Sequence, residues 1–442
     1  MDKSIAYGSG ARVVQTVAGV VSLFFIATFL TKVEQGYFFT FMSLLGIQTF
    51  FELGFTSIIT QFVAHEASHL ELKDDNTLSG EERYKSRLSS LLYFSVKWYG
   101  VSSVLFLIVS IVCGYILFGD SDEVQWQRPW LIICFATAIK MFQSPLTAIF
   151  MGFNKVKDMN KIVFIQQVIM PLVMWLLMFL HYGLYAIGAA SVISVLVWFL
   201  YIINTDLHSL MVNLFKNPIK EKTSYFQEIF PYQWRIAISS LSGYFIFYFL
   251  TPILFKYQGA IVAGQVGMSI SVISAIQAFS MNWLNTKVPL YSQLIALNRF
   301  TELDSLFSRT MKQMLLVCSC LMVVAFCALT VIGNMNIGII GSALEDRFLK
   351  GIPLALLMMA YFTDQFTLSW GTYLRCHKKE PYMWLSLITG ISCLLIIWIT
   401  AVYFDLTIIV LGYAAVKVLT TPLGYYIYKD KKKKWHTNIM FE

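Results

Sequence analysis

Charge is what this sequence has least of. Asp, Glu, Lys and Arg make up 13% of its 442 residues, about half the ~25% of an ordinary soluble domain. With 57% hydrophobic residues and a mean hydropathy of +0.65, there is too little polar surface to coat a soluble globule. Reactive groups are scarce too. Seven cysteines lie in or beside apolar runs without the spacing of a secreted disulfide framework, and Cys318-x-Cys320 lacks a second ligand pair for a metal. The six histidines are scattered, and His65 with Glu66 and His69 reads as a solvated loop cluster. No Gly-rich phosphate loop, His/Glu metal spacing or G-x-S-x-G elbow occurs. The expectation is a chain that is not an enzyme and needs neither cofactor nor metal. A net charge of +8 would suggest nucleic acid in a soluble protein; here its placement matters more than its sum, and no nucleic-acid partner is expected.

What the sequence has instead is long apolar runs. They recur from Ala11 to Tyr428 with short polar breaks, the pattern of helices that satisfy their own backbone in lipid rather than of alternating barrel strands. Twelve candidate spans follow: 11–31, 36–64, 89–118, 129–152, 162–180, 184–206, 232–255, 259–284, 312–333, 351–375, 382–403 and 406–428. The start MDKSIAYGSGAR leads into an apolar stretch too long for a leader, so the first span reads as retained. Residues 207–231, with Lys216, Pro218, Lys220 and Lys222, read as a cytoplasmic connector between an N-terminal lobe, 1–206, and a C-terminal lobe, 232–442, that ends in a basic tail. The fold class is therefore an all-α polytopic membrane protein, about 12 helices in two six-helix lobes with a central cavity. A repeat offset by 228 residues aligns Gly36 with Gly264, Ser43 with Ser271 and Phe51 with Phe279.

With both termini inside, about 25 basic residues fall on the inner side against about 5 outside, so the positive-inside rule places the termini in the cytoplasm. Asp120, Asp122 and Glu123 mark an outer loop as acidic. Trp126, Trp130, Tyr182, Tyr185, Trp283, Tyr425, Tyr426, Tyr428 and Trp435 sit near predicted boundaries and read as an interfacial belt. The tail KDKKKKW suits anionic lipid.

A few ionisable residues remain inside the apolar runs. The second, GYFFTFMSLLGIQTFFELGFTSIITQFVA, reads as one long helix with Glu52 near its middle; Lys97, Lys140, Asp364 and Lys417 are the others away from span ends, and Arg12, Arg235 and Arg375 lie about a turn inside the inner boundary. A charge at bilayer depth costs roughly 3 kcal/mol or more and usually faces protein or a water-filled path. Long stems can also snorkel to the interface, an alternative open for Lys97 and the arginines. For the acids the alternative is an interhelical ion pair. Arg12, Lys97, Lys140 and Lys417 outnumber Glu52 and Asp364 by about two, which suits a doubly anionic substrate, while the acids suit charge balance or ion coupling. Prolines 145, 171, 252 and 422 offer kinks near these charges.

Six plus six spans, a GYFFTF run opening the second span with Glu52 after it, and SPLTAIFMGFNK closing the fourth before a basic loop resemble the polysaccharide flippases of the multidrug/oligosaccharidyl-lipid/polysaccharide (MOP) exporter superfamily, the Wzx-type O-antigen translocases above all. The resemblance implies an inner-membrane protein of polysaccharide and lipopolysaccharide biosynthesis that moves undecaprenyl-diphosphate-linked oligosaccharide outward by alternating access. It implies a substrate-binding cationic cavity with Arg12, Lys97, Lys140, Lys417 and Arg235, and ion coupling or charge balance at Glu52 and Asp364. Implied partners are membrane lipids, a coupling proton or sodium ion, and the polymerase and chain-length machinery. The eighth span has no interior basic residue, unlike lipid II flippases, and the first has no acid, unlike many drug exporters. A drug exporter of the same layout is the alternative, and a membrane polymerase or acyltransferase a weaker one, since no large outer loop or buried catalytic His is present.

Overall fold

The computed structural model describes residues 3–72, 78–119, 123–220, 230–334, 344, 346–377 and 379–438. The positions of Lys73, Asp120, Asp122, Lys222 and Lys378 lie outside the described residues, as does the side chain of Arg12. The chain is an all-α polytopic membrane protein. Nine of its helices are long and apolar enough to cross a membrane among the described residues.

The chain divides into two compact units, Met1–Leu30 with Leu44–Ser240, and Thr31–Ser43 with Leu241–Glu442. The first contains α1 (Lys3–Phe29), α3 (Thr49–Glu52), α4 (Phe55–Ala67), α5 (Glu82–Phe118), α6 (Gln127–Gly152), α7 (Val156–Phe179), α8 (Tyr185–Ile203) and α9 (Asp206–Lys216). α1 packs along α7, where Phe25 stacks on Trp175 at 5.4 Å and the indole donates to Ser22 Oγ at 2.9 Å. α5 buries Ser89, Ser95, Ser102, Ser103 and Ser110, small polar residues that let lipid-embedded helices approach closely. Gly114 of α5 lies under Trp130, whose Nε1 stands 2.1 Å from where a Cβ would be. Trp126 and Trp130 are thus buried at the start of α6, where they fill its seam with α5, whereas Tyr182 is exposed. α9 is amphipathic, burying Leu207, Leu210 and Leu214 at helical spacing. Ser89 Oγ and the Tyr93 hydroxyl donate to the carbonyls of Leu214 and Phe215 at its end. The loop after α4 folds into an antiparallel hairpin of β1 (Leu70–Leu72) and β2 (Leu78–Gly80).

The second unit takes most of α2 (Lys32–Leu45) and only the last part of α10 (Phe230–Phe247), from Leu241 on, with α11 (Leu250–Gln258), α12 (Ala260–Asn285), α13 (Val288–Ala296), α14 (Phe300–Asn334), α15 (Gly351–Cys376), α16 (Met383–Tyr403) and α17 (Leu406–Asn438). Gly36 and Gly264, the pair aligned by the 228-residue offset, lie against each other. A Cβ on Gly264 would stand 2.9 Å from the Gly36 nitrogen, and one on Gly36 would stand 2.0 Å from the carbonyl oxygen of Ala260. Gln35 donates to the carbonyls of Gly264 and Arg347 at 3.0 Å each, and Lys32 pairs with Asp346 at 3.4 Å. The hydrogen-bonded Lys350 ammonium, with Lys32 beside it, holds the Asp346 carboxyl below the usual carboxylate range. At the other end of the unit Tyr291, Phe307, Trp370, Tyr373 and Tyr428 form an aromatic cluster.

Candidate functional site

The second span is not one continuous helix. α2 ends at Leu45, a 3-10 turn covers Gly46–Gln48, α3 is only four residues long, and the chain then turns through Leu53 (φ 49°) and Gly54 (φ 67°) before α4 begins. Two successive left-handed residues break a helix. Gly54 adopts that conformation freely, but Leu53 does so at a cost of order 1–3 kcal/mol, characteristic of functional segments. The site of Gly54 admits nothing larger, because a Cβ there would lie 2.4 Å from Ile236 Cγ2. Glu52 is therefore the last residue of a helical turn at an intramembrane break, a position its place in an apolar run does not reveal.

Glu52 is half-buried. Among the described residues it has no ion pair within 4 Å, yet it lies close enough to Lys140 for the two charges to act on each other. Tyr99 stands beside it with its hydroxyl 2.7 Å from Thr56 Oγ1. Thr56 stands among the polar positions after Gly54, whereas Tyr99, on α5, carries no local signal that it would lie beside Glu52.

Lys140 is exposed at the middle of α6. The lipid-type exposure of that helix is carried by Leu131 and Phe135. Lys140 follows them by nine and five residues, which at 3.6 residues per turn points it about 180° and about 140° away. It is accessible on the face away from those two residues, yet closely surrounded by protein. Lys97 is placed otherwise. It is exposed on α5 one turn from Tyr93 and Val101, both exposed large hydrophobics, which is the position of a snorkelling lysine. Arg235, exposed on α10, lies over the Trp234 ring at 5.4 Å.

In the second unit, Lys417 and Asp364 meet. The ammonium of Lys417 on α17 lies 2.5 Å from Asp364 Oδ2 on α15, with side-chain exposures of 1% and 13%. Lys417 Nζ also sits 4.6 Å from the Phe247 ring centroid and 5.3 Å from that of Tyr413, so hydrogen bond, charge and aromatic faces together satisfy it. Lys417 is committed to this pair. The helices that carry it run unbroken, α17 straight through Pro422, as α6 does through Pro145 and α7 through Pro171.

No family model matches the sequence, and no curated protein does. Solved structures do match. An inward-facing multidrug resistance MATE family transporter of the MOP superfamily superposes with a TM-score of 0.70 at 12% identity, over 98% of this chain and 99% of that one. A mutant of a Vibrio cholerae MATE transporter gives 0.56 at 12% identity, over 99% and 100%. A MOP superfamily transporter from Pyrococcus furiosus, described as having a binding pocket of reverse polarity that suggests a different function, gives 0.54 at 12% identity, over 98% and 96%. The chain has the fold of the MOP-superfamily transporters. At these identities the likeness is one of fold, and the chemistry must come from the residues.

Proposed function

We propose that the protein is a flippase that moves an undecaprenyl-diphosphate-linked oligosaccharide from the cytoplasmic to the periplasmic leaflet of a bacterial inner membrane, with both termini in the cytoplasm. Lys140 carries this reading. An exposed ammonium at mid-span, turned away from the apolar face of its helix, costs roughly 3 kcal/mol unless water or a ligand meets it. A diphosphate is the ligand that uses it best, and Lys binds phosphate as a point charge. Glu52 beside it, held by a broken helix, is suited to carrying a proton or sodium ion, since discontinuous spans are where transporters place coupling ions. On this reading Arg12, the tenth residue of α1, and Arg235, the sixth of α10, meet the diphosphate first from the cytoplasmic side; Lys97 serves the interface.

The test is Lys140→Ala in the full-length protein, reconstituted and scored for lipid-linked oligosaccharide reaching the outer leaflet. The variant is expected to insert normally and to flip at least about tenfold more slowly, the loss of ~1.4 kcal/mol or more of differential binding. Undiminished flipping removes the cationic site. Glu52→Gln should abolish substrate-linked proton or sodium flux, and retained coupling rules Glu52 out as the carrier. The second reading, export of a small molecule, is favoured by neighbours named as multidrug transporters. It predicts that Lys140→Ala leaves efflux of a lipophilic cation intact or improved, since the ammonium repels such a cargo.

A further inference from the structure

A separate cavity lies wholly within the second unit, of ≈ 270 Å³. That is room for about nine waters at ~30 Å³ each and just under the ~300 Å³ at which small-molecule sites begin. Its walls are aromatic on several sides, from Phe39 of α2, Phe247 and Tyr248 at the α10–α11 break, and Tyr361 of α15. Between them stand uncharged polar groups, Ser43, Thr251, Ser271, Ser274 and Gln277, and no charged side chain among the described residues lines it. Gln277 donates its amide to the Tyr361 carbonyl at 3.2 Å, which orients its own carbonyl oxygen as an acceptor. The hydroxyls of Ser43 and Thr251 have no hydrogen-bond partner among the described residues, yet neither is an enclosed orphan. They open onto the cavity. Lys417 stands on Phe247 and is not itself part of the lining, so the ion pair lies one side chain behind the cavity wall.

We propose that this cavity binds one uncharged sugar ring, with the ring's C–H face on the aromatic wall and its hydroxyls on Ser43, Thr251 and Gln277. A phosphate would be unmatched here for want of Lys or Arg, and a cation for want of a carboxylate. A purely aliphatic ligand would leave the free hydroxyls unpaired, at ~1–3 kcal/mol each. A pyranose answers both surfaces at once. The identification of that ring as one unit of a lipid-linked oligosaccharide rests on the flippase reading; the chemistry of the cavity does not.

The experiment uses the full-length protein in nanodiscs and saturation-transfer NMR with free glucose, galactose and N-acetylglucosamine, with glucose 6-phosphate and tetraphenylphosphonium as controls. At least one neutral sugar is expected to bind saturably, with a Kd on the order of 1 mM or a few times weaker. Ser271→Trp, which fills the cavity, should abolish the signal. Thr251→Val, which keeps the shape and removes one hydroxyl, should weaken it about threefold to tenfold, one hydrogen bond's worth. Lys140→Ala should leave it unchanged. Absence of binding by all three sugars, binding untouched by both cavity variants, or competition by tetraphenylphosphonium overturns the assignment. Sugar binding that persists while Lys140→Ala flips normally defeats the flippase reading alone, and loss of flipping in Lys140→Ala without sugar binding defeats the cavity alone.

Discussion

In each unit an acid and a lysine on apolar helices act on each other, Glu52 with Lys140 and Asp364 with Lys417, and the two couples are built oppositely. In the second unit Asp364 and Lys417 project from long unbroken helices, α15 and α17, that pack along each other, and the groups close to 2.5 Å with almost no exposure. In the first, Glu52 ends a four-residue helix beside two left-handed residues and Lys140 stays accessible and beyond ion-pair distance of Glu52. Continuous helices hold a charge pair shut, because neither backbone can yield. A broken helix keeps one open. The closed couple is an element of structure, and the open one is where a ligand or an ion can intervene.

The largest effect should come from breaking the closed couple. Asp364→Asn leaves a buried ammonium without its counter-charge, at about 3–5 kcal/mol, whereas Asp364→Leu with Lys417→Met should recover most of the loss, as buried pairs replaced together often do. Glu52→Gln and Lys140→Met are expected to move stability by no more than about 1 kcal/mol, because neither group is locked to the other. Apparent melting temperatures of the purified variants decide this. Equal tolerance of Asp364→Asn and Glu52→Gln would erase the distinction between the couples.

Much of this was legible in the sequence. Apolar run length marked the spans, and the scarcity of charge picked out Glu52, Lys140, Asp364 and Lys417 from 442 residues. Helix ends were less visible. α5 begins at Glu82, α14 at Phe300, and α17 runs on to Asn438, each well past its apolar stretch, because a helix continues into water on polar residues that hydropathy ignores. The partner of each charge was not visible either. Pairing of Asp364 with Lys417 depends on which faces of α15 and α17 meet, and the lipid-type placement of Lys97 depends on the neighbours Tyr93 and Val101 being exposed. The break at Leu53–Gly54 hid in a run whose hydrophobicity continues across it, and only the glycine hinted at a positive φ.

That break supplies the next test. Gly54→Ala forces a methyl into the space of Ile236 at a left-handed residue, a combination expected to cost about 1–3 kcal/mol. Leu53→Gly should do the reverse, relieving the strain by up to about 1 kcal/mol. If the break holds the first couple open, Gly54→Ala slows transport more than it lowers the melting temperature, while Leu53→Gly leaves transport intact. Two variants of unaltered stability would mean that the left-handed turn stores no strain.

The smallest effect tests whether the second unit tolerates an unpaired charge outside its helices. His377 follows α15, packed among Tyr373 at 5.5 Å, Trp435 at 5.0 Å and His436 at 6.0 Å between ring centroids, and its Nε2 is buried without a hydrogen-bond partner among the described residues. Burial first, then the neighbouring His436 and Lys379, push its pKa down to about 4, with Asp304 pulling weakly the other way. An unfolded histidine titrates near 6.5. Between those values the unfolded chain binds the extra proton, so the stability held above pH 6.5 is lost progressively as pH falls towards 4. For a group only partly shielded from solvent, the loss should be about 1 kcal/mol after screening. His377→Phe, which keeps the ring stack and removes the proton site, should flatten the fall in melting temperature between pH 6.5 and 4.5. An unchanged slope would show that protonated His377 finds room, and that the second unit's intolerance of lone charge is confined to the couple at Asp364.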